Sequence, residues 1–408
     1  MWSLRKKPES LIAIESYKRF ALTSSIIFLV GLAQQANNWA VLNYWKIAGN
    51  ESFMDLRSVL QAADCYAKEG FRIYSHEFGN PCAYNYGSLL IRILDFLHLG
   101  SDNTEVLGVV FIACVSIAIG SIELISNKKG FSGYIFLGLL AFSPPILLLM
   151  ERGNIDTLIV ITMSVTAYFT AKKRYAISMF LILLMSLIKF YPIILFFDLL
   201  LRIKNTKFRI IVFFVFLLAA AQVFYDQSRG PGFINIFWAS FGASVWGIYL
   251  GYLGIAIPYK FSLLLGVLLF FIAICVVRKI LMKFMADGSR GLVFKNSAAE
   301  VFFIYAATIH LFCFLAGMNF DYRLVFLLLS NLLIIYTSDS SKRIKMVIGA
   351  SLVVSLWLSY NLHELQPLGD LVIFFLSALN ALVLLKVLSY NFNGNKLFKR
   401  FGNRFTDF

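Results

Sequence analysis

The sequence predicts an all-α membrane protein that crosses the bilayer many times. Of its 408 residues, 59% are hydrophobic and only 14% are charged, and the mean hydropathy is +0.76. Soluble domains carry about 25% charged residues. Apolar runs of roughly bilayer-spanning length recur from one end of the chain to the other. We therefore treat residues 1–408 as a single integral membrane domain.

The apolar runs predict about 11–12 transmembrane helices. Basic clusters separate many of the runs, and the positive-inside rule places such clusters in the cytoplasm. The net charge of +15 thus has a membrane explanation, and no nucleic-acid motif accompanies it. Both termini are then cytoplasmic, including a basic tail at 390–408. The expected spans are 17–37, 104–126, 131–150, 155–171, 175–201, 209–225, 261–277, 299–316, 322–337, 345–361 and 369–389.

The run 175–201 conflicts with this rule unless the chain turns back within it. Basic clusters flank the run on both sides, so a single crossing would place one of them outside. Pro192 removes a backbone donor and biases Tyr191 away from helix, which favours a break at Lys189–Pro192. We expect Lys189 at the outer mouth of a cavity and accessible from outside.

The longest outer segment, 38–103, is expected to contain interfacial helices. Residues 55–67 have the apolar spacing of a helix, with Asp55 in the first turn, where a carboxylate often balances the helix dipole. The stretch "SLLIRILDFLHL" has the pattern of a helix lying in the membrane interface. Cys65 and Cys82 either close a loop as a disulfide or remain free thiols.

Two short outer loops, "ERGNID" and "GMNFDYR", are unusually polar for positions at span boundaries. Each is compatible with simple interfacial anchoring. Together with Lys189, Arg152 and Arg323 supply three cations, which indicates an outward-facing cavity for an anion such as phosphate. The four histidines lack metal-ligand spacing, and no nucleotide motif is found, so we expect neither metal nor cofactor. The other expected cavity residues are Asn154, Asp156, Tyr191, Asn319, Asp321 and Tyr322.

The order of these features resembles the GT-C superfamily of membrane glycosyltransferases. The closer similarity is to the polyprenyl-phosphate-mannose-dependent mannosyltransferase family and its bacterial relatives. It is carried by a long first outer loop whose helix begins at Asp55, and by "ERGNID" and "IKFYP" further on. "AYNYGS" stands where that family has Tyr-Pro-Pro, and "GMNFDYR" matches no mannose-specific pattern. The shared residues in the first loop are Asp55, Ala62, Ala63, Gly70 and Tyr74.

The resemblance implies a GT-C-like bundle and an inverting glycosyltransferase. A sugar (hexose or pentose) would move from a polyprenyl-phosphate donor to a lipid-linked or glycan acceptor on the outer face of the bacterial inner membrane. Asp55 would be the general base, and Lys189 with Arg152 or Arg323 would bind the leaving phosphate. The implied partners are this donor, a glycan or glycolipid acceptor and membrane lipids, with no nucleic acid.

Two other classes of protein remain open. A transporter or flippase for a lipid-linked or anionic solute would also use broken helices and intramembrane charges, although the single large outer loop and the lack of symmetry argue against it. A structural subunit would explain the topology but not the polar residues clustered on one face. For the role of base, Asp55 competes with four other outer carboxylates: Asp64, Glu69, Asp156 and Asp321. We expect Asp64 to face solvent. Asp156 and Asp321 are candidate ion-pair partners of the nearby arginines.

Overall fold

The computed structural model shows an all-α polytopic membrane protein, as the sequence predicts. Among the described residues, five helices are long and apolar enough to cross a membrane, and a pair bent by 49° adds a sixth if counted as one span. Three shorter apolar helices accompany them. The prediction of about 11–12 crossings also counts these shorter helices, which length and composition alone do not classify. The structure describes residues 9–44, 51–77, 80–125, 131–229, 240–255, 257–285, 294, 296–316, 319–320, 323–338, 340–361 and 365–391.

Helices account for nearly all of the regular structure in these ranges. Short 3₁₀ helices at Gly70–Ser75, Ser101–Asn103 and Tyr191–Ile194 connect some of them. The α-helices are α1 (Glu9–Ala36), α2 (Ala40–Tyr44), α3 (Met54–Glu69), α4 (Ser88–Phe96), α5 (Thr104–Gly120), α6 (Ile122–Ile125), α7 (Phe131–Ala141), α8 (Pro144–Arg152), α9 (Asp156–Ala171), α10 (Tyr175–Ile188), α11 (Leu195–Arg202), α12 (Thr206–Arg229), α13 (Val245–Tyr252), α14 (Tyr259–Met285), α15 (Ser297–Leu315), α16 (Leu324–Thr337), α17 (Lys342–Asn361) and α18 (Gln366–Asn391).

The polar loops and the basic clusters lie at opposite ends of the helices. At one end, which we call the site end, α8 finishes at Arg152, α9 begins at Asp156 and α10 finishes at Ile188. The helices α9 and α10 pack against each other, and the basic stretch 171–174 joins their other ends. This separation is the one that the positive-inside rule anticipates.

The predicted break in 175–201 is present. Lys189 has an extended backbone (φ −136°, ψ 141°), and Tyr191–Ile194 forms a 3₁₀ turn before α11. The chain reverses there. Tyr305 interacts electrostatically both with Arg202 at the end of α11 and with Tyr175 at the start of α10, so these two helix ends lie near each other. Pro192 in the turn explains the position of the break.

The first loop packs as two helices held by a disulfide. In α3 the predicted apolar face, Leu56, Val59, Leu60 and Ala63, is buried, together with Ala62. The disulfide Cys65–Cys82 joins α3 to the segment that precedes α4. At the end of α4, Phe96 is 81% exposed and Leu97 is 53% exposed, as suits an interfacial helix.

A small antiparallel β-sheet was not predicted from the sequence. Its strands are β1 (Ser240–Phe241) and β2 (Asn319–Phe320), which pair across nearly eighty residues of chain. The sheet ties the segment before α13 to the segment before α16, at the site end. Two-residue strands carry no periodic signal, so only the folded chain reveals them.

The helices differ strongly in burial. Most of α16 is buried, and 67% of the apolar window of α15 is buried, against 11% for α12. The core therefore centres on α15 and α16, while α12 exposes apolar side chains as a lipid-facing helix does. The helix α18 ends at Asn391, and the rest of the predicted basic tail lies outside the described residues.

Candidate functional site

Asp55 lies in the first turn of α3 and points toward the loop between α8 and α9. The residue that precedes the helix, Phe53, has a left-handed backbone and gives no side-chain cap. Asp55 is therefore not a cap; it accepts a hydrogen bond of 2.6 Å from Nδ2 of Asn154. About a quarter of its side chain remains exposed (25%), so other molecules can reach the carboxylate.

The turn from α8 to α9 brings Arg152 and Asn154 to Asp55. Gly153 ends α8 with a φ of +57°, a conformation that favours glycine, and a Cβ there would lie 3.0 Å from Cβ of Leu56. This close approach lets α3 rest on the turn. Arg152 lies 3.6 Å from Asp55 through Nη1 and 3.2 Å from buried Glu151 through Nε.

Asn154 links the Asp55 carboxylate to Lys189 and to the backbone of Asp156. Its Nδ2 donates to Asp55, and its Oδ1 accepts from Nζ of Lys189 at 3.0 Å and from the backbone N–H of Asp156 at 2.9 Å. Because an amide has both donors and an acceptor, it satisfies a carboxylate on one side and an ammonium on the other. Asn154 is fully buried.

Asp156 is buried and bonded on all sides. Its Oδ1 accepts from the Lys189 ammonium and, at 2.6 Å, from the Tyr191 hydroxyl. Its Oδ2 accepts from Nε of Arg323 at 3.2 Å. A buried carboxylate with two cations and a hydroxyl is fully compensated, and removing one partner would leave an uncompensated charge.

Tyr86 belongs to the same cluster, although the sequence analysis did not single it out. Nζ of Lys189 lies 4.9 Å from the centre of its ring. Asp55, Asp156 and Asn154 lie within interaction range of its hydroxyl, and burial raises its pKa, so the hydroxyl stays neutral. The sequence signal that could have pointed to Tyr86 is the glycine that follows it, Gly87, because glycine allows a close approach of two backbones.

Gly87 docks the first loop onto the break in 175–201. Its N–H donates to the carbonyl of Ile188 at 3.0 Å, and a Cβ on Gly87 would lie 1.7 Å from the carbonyl oxygen of Leu187. Only glycine fits this approach without movement of the backbone. The hydroxyl of Tyr74 donates to the carbonyl of Tyr86 at 3.0 Å and holds the same segment from the other side.

The electrostatics of Asp55 combine two opposing effects. Shielding from water raises the pKa of its carboxyl above the ordinary value, while Arg152 and the hydrogen bond from Asn154 lower it. Shielding is the largest of these effects, so the net pKa is raised. A carboxylate with a raised pKa binds a proton more readily, which suits a base.

Most of the predicted site residues meet in this cluster. Asn319 is described only through its backbone in β2, and Asp321 and Tyr322 lie outside the described residues. The residues that the fold brings together are Asp55, Arg152, Asn154, Asp156, Lys189, Tyr191 and Arg323.

Three expectations need correction. Lys189 is not at an open mouth; its side chain is 5% exposed, because it is bonded beneath Tyr86 to Asn154 and Asp156. Asp156 pairs with Arg323 and not with its sequence neighbour Arg152, which approaches Asp55 instead.

Asp64 is the third correction, since it does not simply face solvent. It accepts from the backbone N–H of Ser101 at 3.0 Å and from its hydroxyl at 2.6 Å. Asp64 therefore holds the 3₁₀ turn before α5 in place. Glu69 bonds to His76 at 2.9 Å. These two lie near the sulfur of Cys82, but its disulfide leaves no thiolate for a metal.

The cluster defines a class of protein: a polytopic membrane protein with a charged polar site at one end of its helices. Three carboxylates and three cations meet there, and only some of them are open to solvent. Comparisons with protein-family models, curated proteins and solved structures found no match to this chain.

Proposed function

We propose that the protein is a membrane glycosyltransferase that moves a sugar from a polyprenyl-phosphate donor to a lipid-linked or glycan acceptor. The proposal rests on the unlike surroundings of two neighbouring carboxylates. Asp55 is partly exposed and has a raised pKa, whereas Asp156 is buried between Lys189 and Arg323. Such a difference suits one carboxylate for proton transfer and the other for structure.

The cations beside Asp55 suit a leaving phosphate. Arg152 is 16% exposed and Arg323 is 14% exposed, so both side chains are partly open at the site. The bonds of Arg152 to described residues use Nε and Nη1, which leaves Nη2 for a phosphate oxygen. Lys189, in contrast, is buried; it contributes positive charge to the cluster and positions Asn154 and Asp156.

The proposed reaction is a single displacement. The acceptor hydroxyl attacks the anomeric carbon, the bond from that carbon to the phosphate oxygen breaks, and the configuration inverts. The hydroxyl proton passes to Asp55, and the polyprenyl phosphate leaves with the electron pair. Arg152 and Arg323 stabilise the charge that develops on the phosphate oxygen. No step requires a group other than these side chains and the two substrates.

The membrane position follows from charge. With the basic end of the helices in the cytoplasm, the site end faces the outside of the membrane, which in a bacterium is the periplasmic face of the inner membrane. The donor phosphate would then lie at the boundary between lipid and water, beside the polar loops.

A transfer assay tests the proposal. Purified full-length protein is incubated with a panel of radiolabelled polyprenyl-phosphate sugars and a lipid-linked or glycan acceptor. We expect labelled acceptor with the wild type and none with Asp55→Asn. Asp64→Asn is the matched control, because it removes a carboxylate of the same helix whose hydrogen bonds within the described part of the chain go to Ser101.

The same preparation distinguishes the transporter alternative. In proteoliposomes, a flippase moves an intact lipid-linked sugar between leaflets without transferring it. Movement without any labelled acceptor, across the whole donor panel, would replace the glycosyltransferase proposal with that alternative.

A further inference from the structure

A second group of cations lies in the first loop, away from Asp55. The guanidinium carbon of Arg92 on α4 lies 4.8 Å from the centre of the Phe71 ring, and that of Arg229 on α12 lies 5.6 Å from it. Arg92 is exposed and Arg229 is half-buried. Two cations thus converge on one aromatic ring from different parts of the chain.

No carboxylate of the described chain forms a salt bridge with either arginine. Asp226, three residues before Arg229 on α12, is buried and accepts from the backbone N–H of Ser88 and from Gln222, both at 2.9 Å. Its oxygens therefore bond at the start of α4 and on α12, while its charge acts on the Tyr74 hydroxyl together with the charges of both arginines. One buried carboxylate offsets only part of the two positive charges, and a bound anion would compensate the rest.

Arg229 is held in a defined geometry. It donates to the carbonyl of Phe71 at 3.3 Å and to the Tyr225 hydroxyl at 3.1 Å, and its guanidinium lies 5.3 Å from the centre of the Tyr74 ring. These contacts fix the planar group and leave Nε without a partner among the described residues. A guanidinium positioned in this way is suited to bind a phosphate.

Exposed apolar side chains on both elements indicate the source of the phosphate. Phe96 ends α4 and Leu97 follows it, both after Arg92, while Phe224 and Tyr225 precede Arg229 on α12; their exposures are 81%, 53%, 77% and 53%. Large exposed apolar groups beside arginine are typical of the level where lipid tails meet head groups. A lipid phosphate would reach this position from the side.

We infer that Arg92 and Arg229 form a binding site for the phosphate group of a membrane lipid, separate in its residues from the Asp55 cluster. Because Arg229 bonds to the first loop, a lipid bound there would hold α12 against that loop. Tyr74, which contacts Arg229, also bonds to the carbonyl of Tyr86. The site therefore adjoins the segment that contacts Lys189.

Lipid binding to the purified full-length protein tests this inference. Short-chain phosphatidylglycerol is titrated into detergent-solubilised protein, and bound lipid is counted by native mass spectrometry. We expect Arg92→Gln and Arg229→Gln each to weaken binding about tenfold, the loss of one charge-assisted hydrogen bond. Lys172→Gln, which removes a cation over the Tyr168 ring at the basic end, should leave binding unchanged.

Two further arms identify the lipid. Polyprenyl phosphate is titrated in an Arg152→Gln background, which removes a cation of the Asp55 cluster, and inorganic phosphate replaces the lipids in a third titration. If Arg92→Gln and Arg229→Gln weaken the binding of polyprenyl phosphate alone, the site is assigned to a lipid-linked substrate. Unchanged binding of both lipids in Arg92→Gln would overturn the inference, and this variant alone decides if Arg229→Gln does not fold. Because transfer is not measured, the result is independent of the proposed activity.

Discussion

Asp55 and Asp156 contact the same asparagine, yet their surroundings differ. Asp55 keeps 25% of its side chain exposed and has one cation, Arg152, at 3.6 Å. Asp156 has no exposed surface and bonds to Lys189, Tyr191 and Arg323. The comparison teaches that identical side chains linked through one asparagine differ in their electrostatic surroundings when one is partly open to solvent and the other is enclosed.

The difference arises from the elements that carry each residue. Asp55 lies on α3, in the first loop, and this helix packs against α5 and α8. Asp156 begins α9, and its partners come from positions 33 and 167 residues further along the chain. The loop side of the site is therefore partly open to solvent, while the helix side is held by buried charges. Four predictions separate the two sides.

The largest expected effect is on turnover. Asp55→Asn keeps the shape of the side chain but removes its basicity, so we expect a loss of about 10²–10⁴ in transfer rate. Its thermal unfolding should match the wild type. Asp156→Asn should instead lower the unfolding temperature, because Lys189 and Arg323 lose their shared counter-ion. Near-normal transfer by Asp55→Asn would show that the base is not on the loop side.

Removing the buried cation is expected to have the next largest effect. Lys189→Ala leaves Asp156 without its ammonium partner, and breaking a buried ion pair costs about 3–5 kcal/mol. We expect this loss in the free energy of unfolding, measured by denaturant titration in micelles. Lys172→Ala is the control: Lys172 is exposed at the basic end and should change stability by less than about 0.5 kcal/mol. Equal stability of the two variants would contradict the pairing.

The third prediction concerns the loop side alone. Cys65→Ser with Cys82→Ser opens the link between α3 and the segment that leads to Tyr86, and a native disulfide typically contributes about 3 kcal/mol. The variant should unfold more easily and transfer sugar more slowly. The ion pairs of Asp156 should change less than the transfer rate. Cys275→Ser, which changes an exposed free cysteine, serves as the control. Unchanged stability after reduction of the wild type would show that packing alone holds the loop.

The smallest expected effect is a shift in pH dependence. Arg152 lowers the pKa of Asp55, so Arg152→Gln should raise that pKa further. A base works only when unprotonated, and the acid limb of the transfer rate should therefore move to higher pH. Arg57→Gln is the matched control, since Arg57 lies on the helix of Asp55 but pairs with Glu51 and, at 3.8 Å, with Glu105. An unshifted acid limb in Arg152→Gln would separate Arg152 from the ionisation of Asp55.

Composition and local pattern were sufficient for the class of fold and for several elements. Hydropathy predicts the membrane helices, because burial in lipid depends on the apolar content of each segment. The apolar face of α3 follows from spacing along one helix. Pro192 predicts the break after Lys189, since the missing N–H and the constraint on Tyr191 act on adjacent residues.

The arrangement of the site was decided only by the tertiary structure. The sequence indicated that Lys189, Arg152 and Arg323 would gather near carboxylates, but not which carboxylate each would contact. It did not show that Lys189 is buried, that Tyr86 lies over it, or that β1 pairs with β2. The physical reason is distance along the chain: hydrophobicity and proline constraints act within one segment, whereas ion pairing and exposure depend on segments that only folding brings together.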